Sequence, residues 1–173
     1  MKAIRSNKKG VRIHSPFVYG LVTGVLYDDS INIDFTDTEV SQSEKRLQLN
    51  MLYRLLNFFR PEKVLFSAPL TAETEKQLKD KLNSDFYYYE TFESGLEETI
   101  LSFPFTVLSE SVFSRLTRFP ENNSVWFIIK NNPSSKVFKN LPECESGRIT
   151  IELKHSGIVI FNNNFYTQGY VIK

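Results

Sequence analysis

The sequence predicts an α/β fold: a mostly parallel sheet with helices on both faces and an antiparallel hairpin near the carboxyl end. Three observations predict it. From Lys63 onward, short apolar segments alternate with segments of helical period. Residues 125–129 are apolar throughout, as in a strand buried on both faces. Finally, Ile149, Ile151 and Leu153 alternate with Thr150, Glu152 and Lys154, which is the period of a half-buried strand. The chain has 173 residues, 41% hydrophobic and 24% charged, with a net charge of +1; this excludes disordered, collagenous and disulfide-stapled classes. At this length roughly 70% of the unfolded surface is buried on folding, enough for one core without metal or crosslinks.

The elements follow in order along a single domain, residues 1–173, with no repeat, low-complexity block or long linker. Residues 1–13 read as a basic arm carrying Lys2, Arg5, Lys8, Lys9 and Arg12. Ser15-Pro16 then starts a helix running to about Tyr27, because the serine oxygen can accept a free backbone N–H and proline at the first helical position loses no bond. Residues 28–39 are acidic and turn-rich. Ser41-Gln42-Ser43-Glu44 has capping-box spacing, and Leu47, Met51, Leu52, Leu55, Leu56 and Phe59 fall on one face of the helix that follows. Arg60-Pro61 ends it, since the residue before proline avoids the helical region. These N-terminal helices occupy residues 16–59. Strands are expected at 63–67, 86–89, 105–109 and 125–129, with helices at 72–82, 93–101 and 111–118 between them. His155-Ser156-Gly157 reads as a hairpin turn into a strand at 158–161, and a last strand, 170–172, follows the Asn162-Asn163-Asn164 loop.

The single cysteine, Cys144, can form no intramolecular disulfide and has no zinc or iron spacing, which favours a reducing, cytoplasmic setting. The basic start followed by apolar residues imitates a signal peptide, but Asp28 and Asp29 stand where small cleavage-site residues belong. No apolar run approaches the ~20 residues of a membrane span. No GxSxG, Walker, HExxH or CxxC pattern supports nucleophilic, nucleotide-hydrolysing or zinc chemistry. Neither His14, beside the helix start, nor His155, in the expected turn, has a partner pattern for catalysis; Ser15 and Cys144 lack an activating base. The basic arm could meet phosphate, but the balanced overall charge argues against nucleic acid, and the Tyr87-Tyr88-Tyr89 run is read as packing and not base stacking.

The segment Ile13-His14-Ser15-Pro16-Phe17-Val18-Tyr19 resembles the HSPF-type opening of a group of bacterial class I S-adenosylmethionine-dependent methyltransferases, similar to small-molecule O-methyltransferases. Residues 47–61 and 157–172 are similar to that group's first long helix and closing strands. The resemblance implies a Rossmann-like sheet. It also implies a glycine-containing loop after the first strand for the cofactor's methionine part, and an acid at the end of the second strand for the ribose hydroxyls.

Against that implied pattern the chain departs in three places. Its first-strand exit reads Phe66-Ser67-Ala68-Pro69-Leu70-Thr71, with no glycine between Gly24 and Gly95 and an apolar Phe66 where many relatives carry an acid. A non-glycine residue forced to positive φ costs about 1–2 kcal/mol, and Pro69 removes a donor. Glu90 alone matches the ribose-holding acid. Secondly, Glu90 and Glu110 are only twenty residues apart, where the family fits a helix, a strand and another helix, so one edge strand is expected to be missing. Thirdly, the family's metal carboxylates become Glu110 on one side and Lys130-Asn131-Asn132 on the other, and a lysine ammonium opposes magnesium. The reading is therefore a degenerate methyltransferase-like protein with a scaffold or interaction role, with no metal, no catalytic residue and no expected cofactor. Ser67, Ala68, Glu90 and Glu110 remain as vestigial cofactor-site positions. The alternative is an active methyltransferase that uses S-adenosylmethionine on a small molecule. If the edge strand is missing, Phe86 to Tyr89 form the sheet edge, open to a second copy or a protein partner.

Overall fold

The computed structural model of the chain describes residues 4–6, 13–37, 43–89, 95–121, 123–139, 141 and 147–172. Its strands are β1 (Ile4–Ser6), β2 (Lys63–Phe66), β3 (Asp85–Tyr88), β4 (Phe105–Ser109), β5 (Ser124–Ile129), β6 (Arg148–Glu152), β7 (Ser156–Phe161) and β8 (Gln168–Ile172). Its helices are α1 (Pro16–Leu21), extended by a π-helical turn over Val22–Leu26, then α2 (Ser43–Phe59), α3 (Ala72–Lys79), α4 (Leu96–Ser102) and α5 (Glu110–Phe113).

All eight strands form one sheet in the order β1-β8-β6-β7-β5-β4-β2-β3. Every pairing is parallel except the two made by β7, which runs against β5 on one side and β6 on the other. The architecture is thus α/β and Rossmann-like, mostly parallel with an antiparallel carboxyl-terminal part. Period-two alternation separates two cores. On one face Val64, Phe66, Phe105, Val107, Val125, Phe127, Ile158 and Ile160 lie beneath α1, α2 and α3. On the other, Leu65, Leu108, Trp126, Ile128, Val159 and Phe161 meet Leu96 and Ile100 of α4 and Phe113 of α5. The helices therefore cover both faces, as the apolar run 125–129 of β5 requires.

The long helix α2 supplies the first core with Leu49, Leu52, Leu55 and Leu56, all buried. Burying such a leucine fully is worth about 1.5–3 kcal/mol. Leu47, expected on the same face, is 57% exposed. It lies five residues from Leu52, about 140° round the helix, outside the stripe that the sheet covers. Ser15 caps α1, its hydroxyl accepting the Val18 N–H at 3.4 Å. Arg60 ends α2 in the left-handed region at φ 46°, its N–H donating to Leu56 O at 2.8 Å before Pro61 breaks the helix. The cap residue of the capping box, Ser41, lies outside the described residues, while Glu44 stands in the first turn of α2.

Three expectations are corrected. The basic arm is not all a tail: residues 4–6 form β1, with Ile4, Arg5 and Ser6 opposite Tyr170, Val171 and Ile172 of β8. Three residues are too few for a readable period, and main-chain bonding to a free edge sets this pairing. The hairpin turn is Lys154-His155, because Leu153 N–H donates to Ser156 O at 2.9 Å and Glu152 pairs with Gly157. Gly157 is a strand residue needed for close packing, since a Cβ there would stand 2.6 Å from the Phe138 ring. Finally, α5 stops at Phe113, well short of residue 118. The carboxylate of Glu97 on α4 accepts the N–H groups of Thr117 and Arg118, both at 2.6 Å, and so draws them out of helical bonding.

Gly147, just before β6, is held against the loop after β7: its carbonyl accepts the Asn162 N–H at 3.0 Å, and a Cβ would lie 1.7 Å from Phe165 O. Since backbone cannot rotate aside as a side chain can, Gly147→Ala is expected to cost about 3 kcal/mol. A urea midpoint unchanged from wild type would show that this approach is not tight.

Candidate functional site

The chain passes from β2 through α3 to β3 at the edge, then back across β2 through α4 to β4. Strand order therefore reverses between β2 and β4, and the crevice outside their carboxyl ends is where an open α/β sheet binds ligands. Ser67, Ala68 and Glu110 stand there, at the exits of β2 and β4; Glu90 lies outside the described residues.

At this crevice the two strand exits are joined by the protein's own hydrogen bonds. Ser67 N–H donates to Val107 O at 2.9 Å, and Ser67 Oγ accepts the Ser109 N–H at 2.9 Å. Ser109 Oγ in turn accepts the Val112 N–H at 3.3 Å, capping α5. Ser67 is thus a bridge between the two strand exits. Phe66 is 1% exposed, packed against the rings of Phe86 and Tyr88 with centroids 5.1 and 5.5 Å away. Ala68 and Pro69 are exposed on the loop that leads to α3. Glu110 Oε2 accepts the Asn131 N–H at 2.9 Å, fastening α5 to the residues that follow β5. The buried Lys130 ammonium faces Leu153 O at 3.2 Å, with Glu152 and Pro133 O each at 3.5 Å. Among the described residues no group of three His, Cys, Asp or Glu is placed to hold a metal ion.

The helix that leaves this loop already has a negative group at its amino end. Thr71 caps α3 by accepting the Thr74 N–H at 3.3 Å. The hydroxyls of Thr71 and Thr74 both donate to Asp37 Oδ2, that of Thr74 at 3.1 Å. Asp37 comes from residues 31–37, read in the sequence only as acidic and turn-rich. They form a strap in which Ile33 and Phe35 are buried, while Asn32, Asp34 and Thr36 point outward. The strap is pinned by Ile33 N–H to Asn50 Oδ1 at 2.7 Å, by the Arg46–Asp34 ion pair, and by Thr36 Oγ1 to Glu73 at 3.1 Å. The period-two pattern from Asn32 to Thr36 was the available signal for it. A carboxylate beside the first turn of a helix is stabilised by the unpaired N–H groups and the helix dipole.

His14 is exposed beside the α1 cap. The His155 carbonyl accepts from Gln48 Nε2 at 2.6 Å and from the Lys130 N–H at 3.1 Å, tying the hairpin turn to α2 and β5. Cys144 lies outside the described residues, and among those described no helix is long and apolar enough to cross a membrane.

Comparison of the chain with protein-family models, curated proteins and solved structures finds no match.

Glu75 on α3 faces Lys79 at 2.5 Å and shares its surroundings with the Tyr88 hydroxyl. The Lys79 ammonium holds the Glu75 carboxyl below its usual range, and Tyr88 adds to this against the opposing effect of burial. Burial, followed by the Glu75 charge, pushes the Tyr88 hydroxyl upward. A carboxyl depressed on folding adds stability above its unfolded pKa, and that stability is lost as pH falls through the folded value. Glu75→Gln is therefore expected to lower stability at neutral pH and to converge with wild type on acidification below the carboxylate range. A constant gap between the two urea midpoints across that range would disprove this linkage.

Proposed function

We propose that the chain is a degenerate methyltransferase-like domain that no longer binds S-adenosylmethionine and acts as a scaffold or interaction protein. One observation carries the reading: the Asp37 carboxylate sits on the Thr71 and Thr74 hydroxyls at the amino end of α3, beside the loop that would have to receive a donor. A donor's carboxylate approaching that loop meets the like charge of Asp37 and an exposed proline. The neighbouring Phe66 offers an apolar ring in place of an acceptor. The Ser67–Ser109 bridge further commits backbone groups at the strand exits to one another. The reading includes no catalytic residue and no metal, and it sets the protein in the cytoplasm, away from nucleic acid.

Thermal denaturation with saturating S-adenosylmethionine, and separately with its demethylated product, tests this directly. Ligand at a hundred times its dissociation constant would add about 2.7 kcal/mol of stability. The expected result is no rise in melting temperature for wild type. Asp37→Ala, which removes the charge at the helix end, is expected to lose about 0.5–2 kcal/mol without gaining donor binding. A saturable rise in the wild-type protein would overturn the reading.

The interaction role falls to the open side of β3. Among the described residues β3 pairs only with β2, and Tyr87 is 41% exposed on it. The occupant proposed is a second copy, adding its own β3 strand to strand across a two-fold axis, where Phe86 and Tyr87 of one strand stand opposite Tyr87 and Phe86 of the other. Light scattering should give a dimer mass, converted to monomer by Tyr87→Lys at the edge. A monomer for wild type at high concentration would remove this surface from the proposal.

A further inference from the structure

A second feature of the molecule lies toward the other end of α2, away from the crevice. Arg54 stands in the apolar stripe of that helix, its side chain only 4% exposed. A guanidinium carries five N–H donors. Three are used on main chain: Nε to Asn50 O at 3.2 Å, and Nη1 to Leu26 O at 2.7 Å and to Asp28 O at 3.3 Å. These bonds close the end of the π-helical turn onto α2. The remaining ion pair, to Asp29 Oδ1 at 3.6 Å, is also made through Nη1, and that carboxylate is 88% exposed. None of these contacts uses the two Nη2 donors. Burial draws the Arg54 pKa below its ordinary value, with Asp29 and Asp28 opposing the shift. A charge this enclosed is stabilised by any further acceptor that reaches it.

Arg54 lines a cavity of about 280 Å³. Asn57 and Arg60 bring polar groups to the same cavity, and Arg60 has φ 46° and Nε placed 3.4 Å from Asn57 O. Val25, Ile31 and Phe58 form its apolar wall. Gly24 stands at its rim, and a Cβ there would meet nothing within 4 Å. Two guanidinium groups beside a short apolar wall recognise a planar oxyanion attached to a small hydrocarbon body. The volume falls at the lower edge of small-molecule sites, too small for a nucleotide.

We infer that this cavity binds a small carboxylate with a short apolar body, its oxygens on Arg54 Nη2 and the Arg60 guanidinium and its body against Val25, Ile31 and Phe58. Asp28 and Asp29 share the charge of Arg54, so the affinity is modest, in the millimolar range. This site is independent of the donor crevice and does not rest on the reading given to it.

The test is a titration of the isotopically labelled full chain, followed by amide NMR, with benzoate, benzamide and inorganic phosphate as probes. Benzoate is expected to shift the amides of Gly24 and Phe58 saturably, while benzamide leaves them in place and phosphate binds more weakly. Arg60→Gln should weaken benzoate about tenfold, the loss of one charge-assisted contact. Gly24→Leu, which projects into open space at the rim, should abolish the shifts while keeping the folded spectrum. Arg54 itself is left intact, because its main-chain bonds hold the fold. No saturable shift with benzoate, equal response to benzamide, phosphate binding as tightly, or binding unchanged in both variants would each overturn the inference.

Discussion

Strands β4 and β5 are buried on both faces, and the rest of the molecule is arranged to satisfy that condition. Phe105, Val107, Val125 and Phe127 demand a layer on one side, while Leu108, Trp126 and Ile128 demand one on the other. The crossovers α3 and α4 fall on opposite faces, but α3 has eight residues and α4 seven, too little surface for an eight-stranded sheet. The N-terminal helices make up the difference on one side, where the four buried leucines of α2 complete the larger core. On the other side the aromatic group of Phe113, Phe119, Trp126 and Phe161 fills the layer with few but large rings.

This requirement also explains why the strap lies where it does. Ile33 and Phe35 extend the first core beyond the helices, and once they are buried the intervening polar residues must run over α2 and α3. Asp37 is carried to the amino end of α3 by that path. The carboxylate there follows from covering an apolar face, with the helix dipole adding to it. The same path ends the strap at the cap of α3, on the loop that follows β2.

Much of the fold was legible in the sequence because the relevant signals are local. Residues 105–109 and 125–129 announced strands buried on both faces, and Ile149, Ile151 and Leu153 announced the antiparallel end. Signals failed where a residue type serves two purposes. Gly157 reads as a turn residue, yet it is a strand position that must clear the Phe138 ring. Residues 111–118 have the composition of a helix, but Glu97 of α4 takes two of their N–H groups. Ile4 to Ser6 carry no period at all. The candidate site was legible only in part: the glycine-free loop from Ser67 to Thr71 is plain in the sequence, while the contact from Asp37 to Thr71 spans 34 positions and has no local trace. Arg54 had one, a charge set among Leu52, Leu55 and Leu56, which in an apolar stripe marks a buried cation needing acceptors.

The sheet's pairing of Ile4 with Tyr170 has a consequence for how the molecule is made. During synthesis β1 leaves the ribosome long before β8 exists, so its amide and carbonyl groups must stay in water until nearly the whole chain has emerged. The central strands can meet earlier, since β2, β3, β4 and β5 follow one another with short crossovers. Closure of so long a loop is entropically slow, which places β1 among the last elements to dock and the first to be released when the domain breathes.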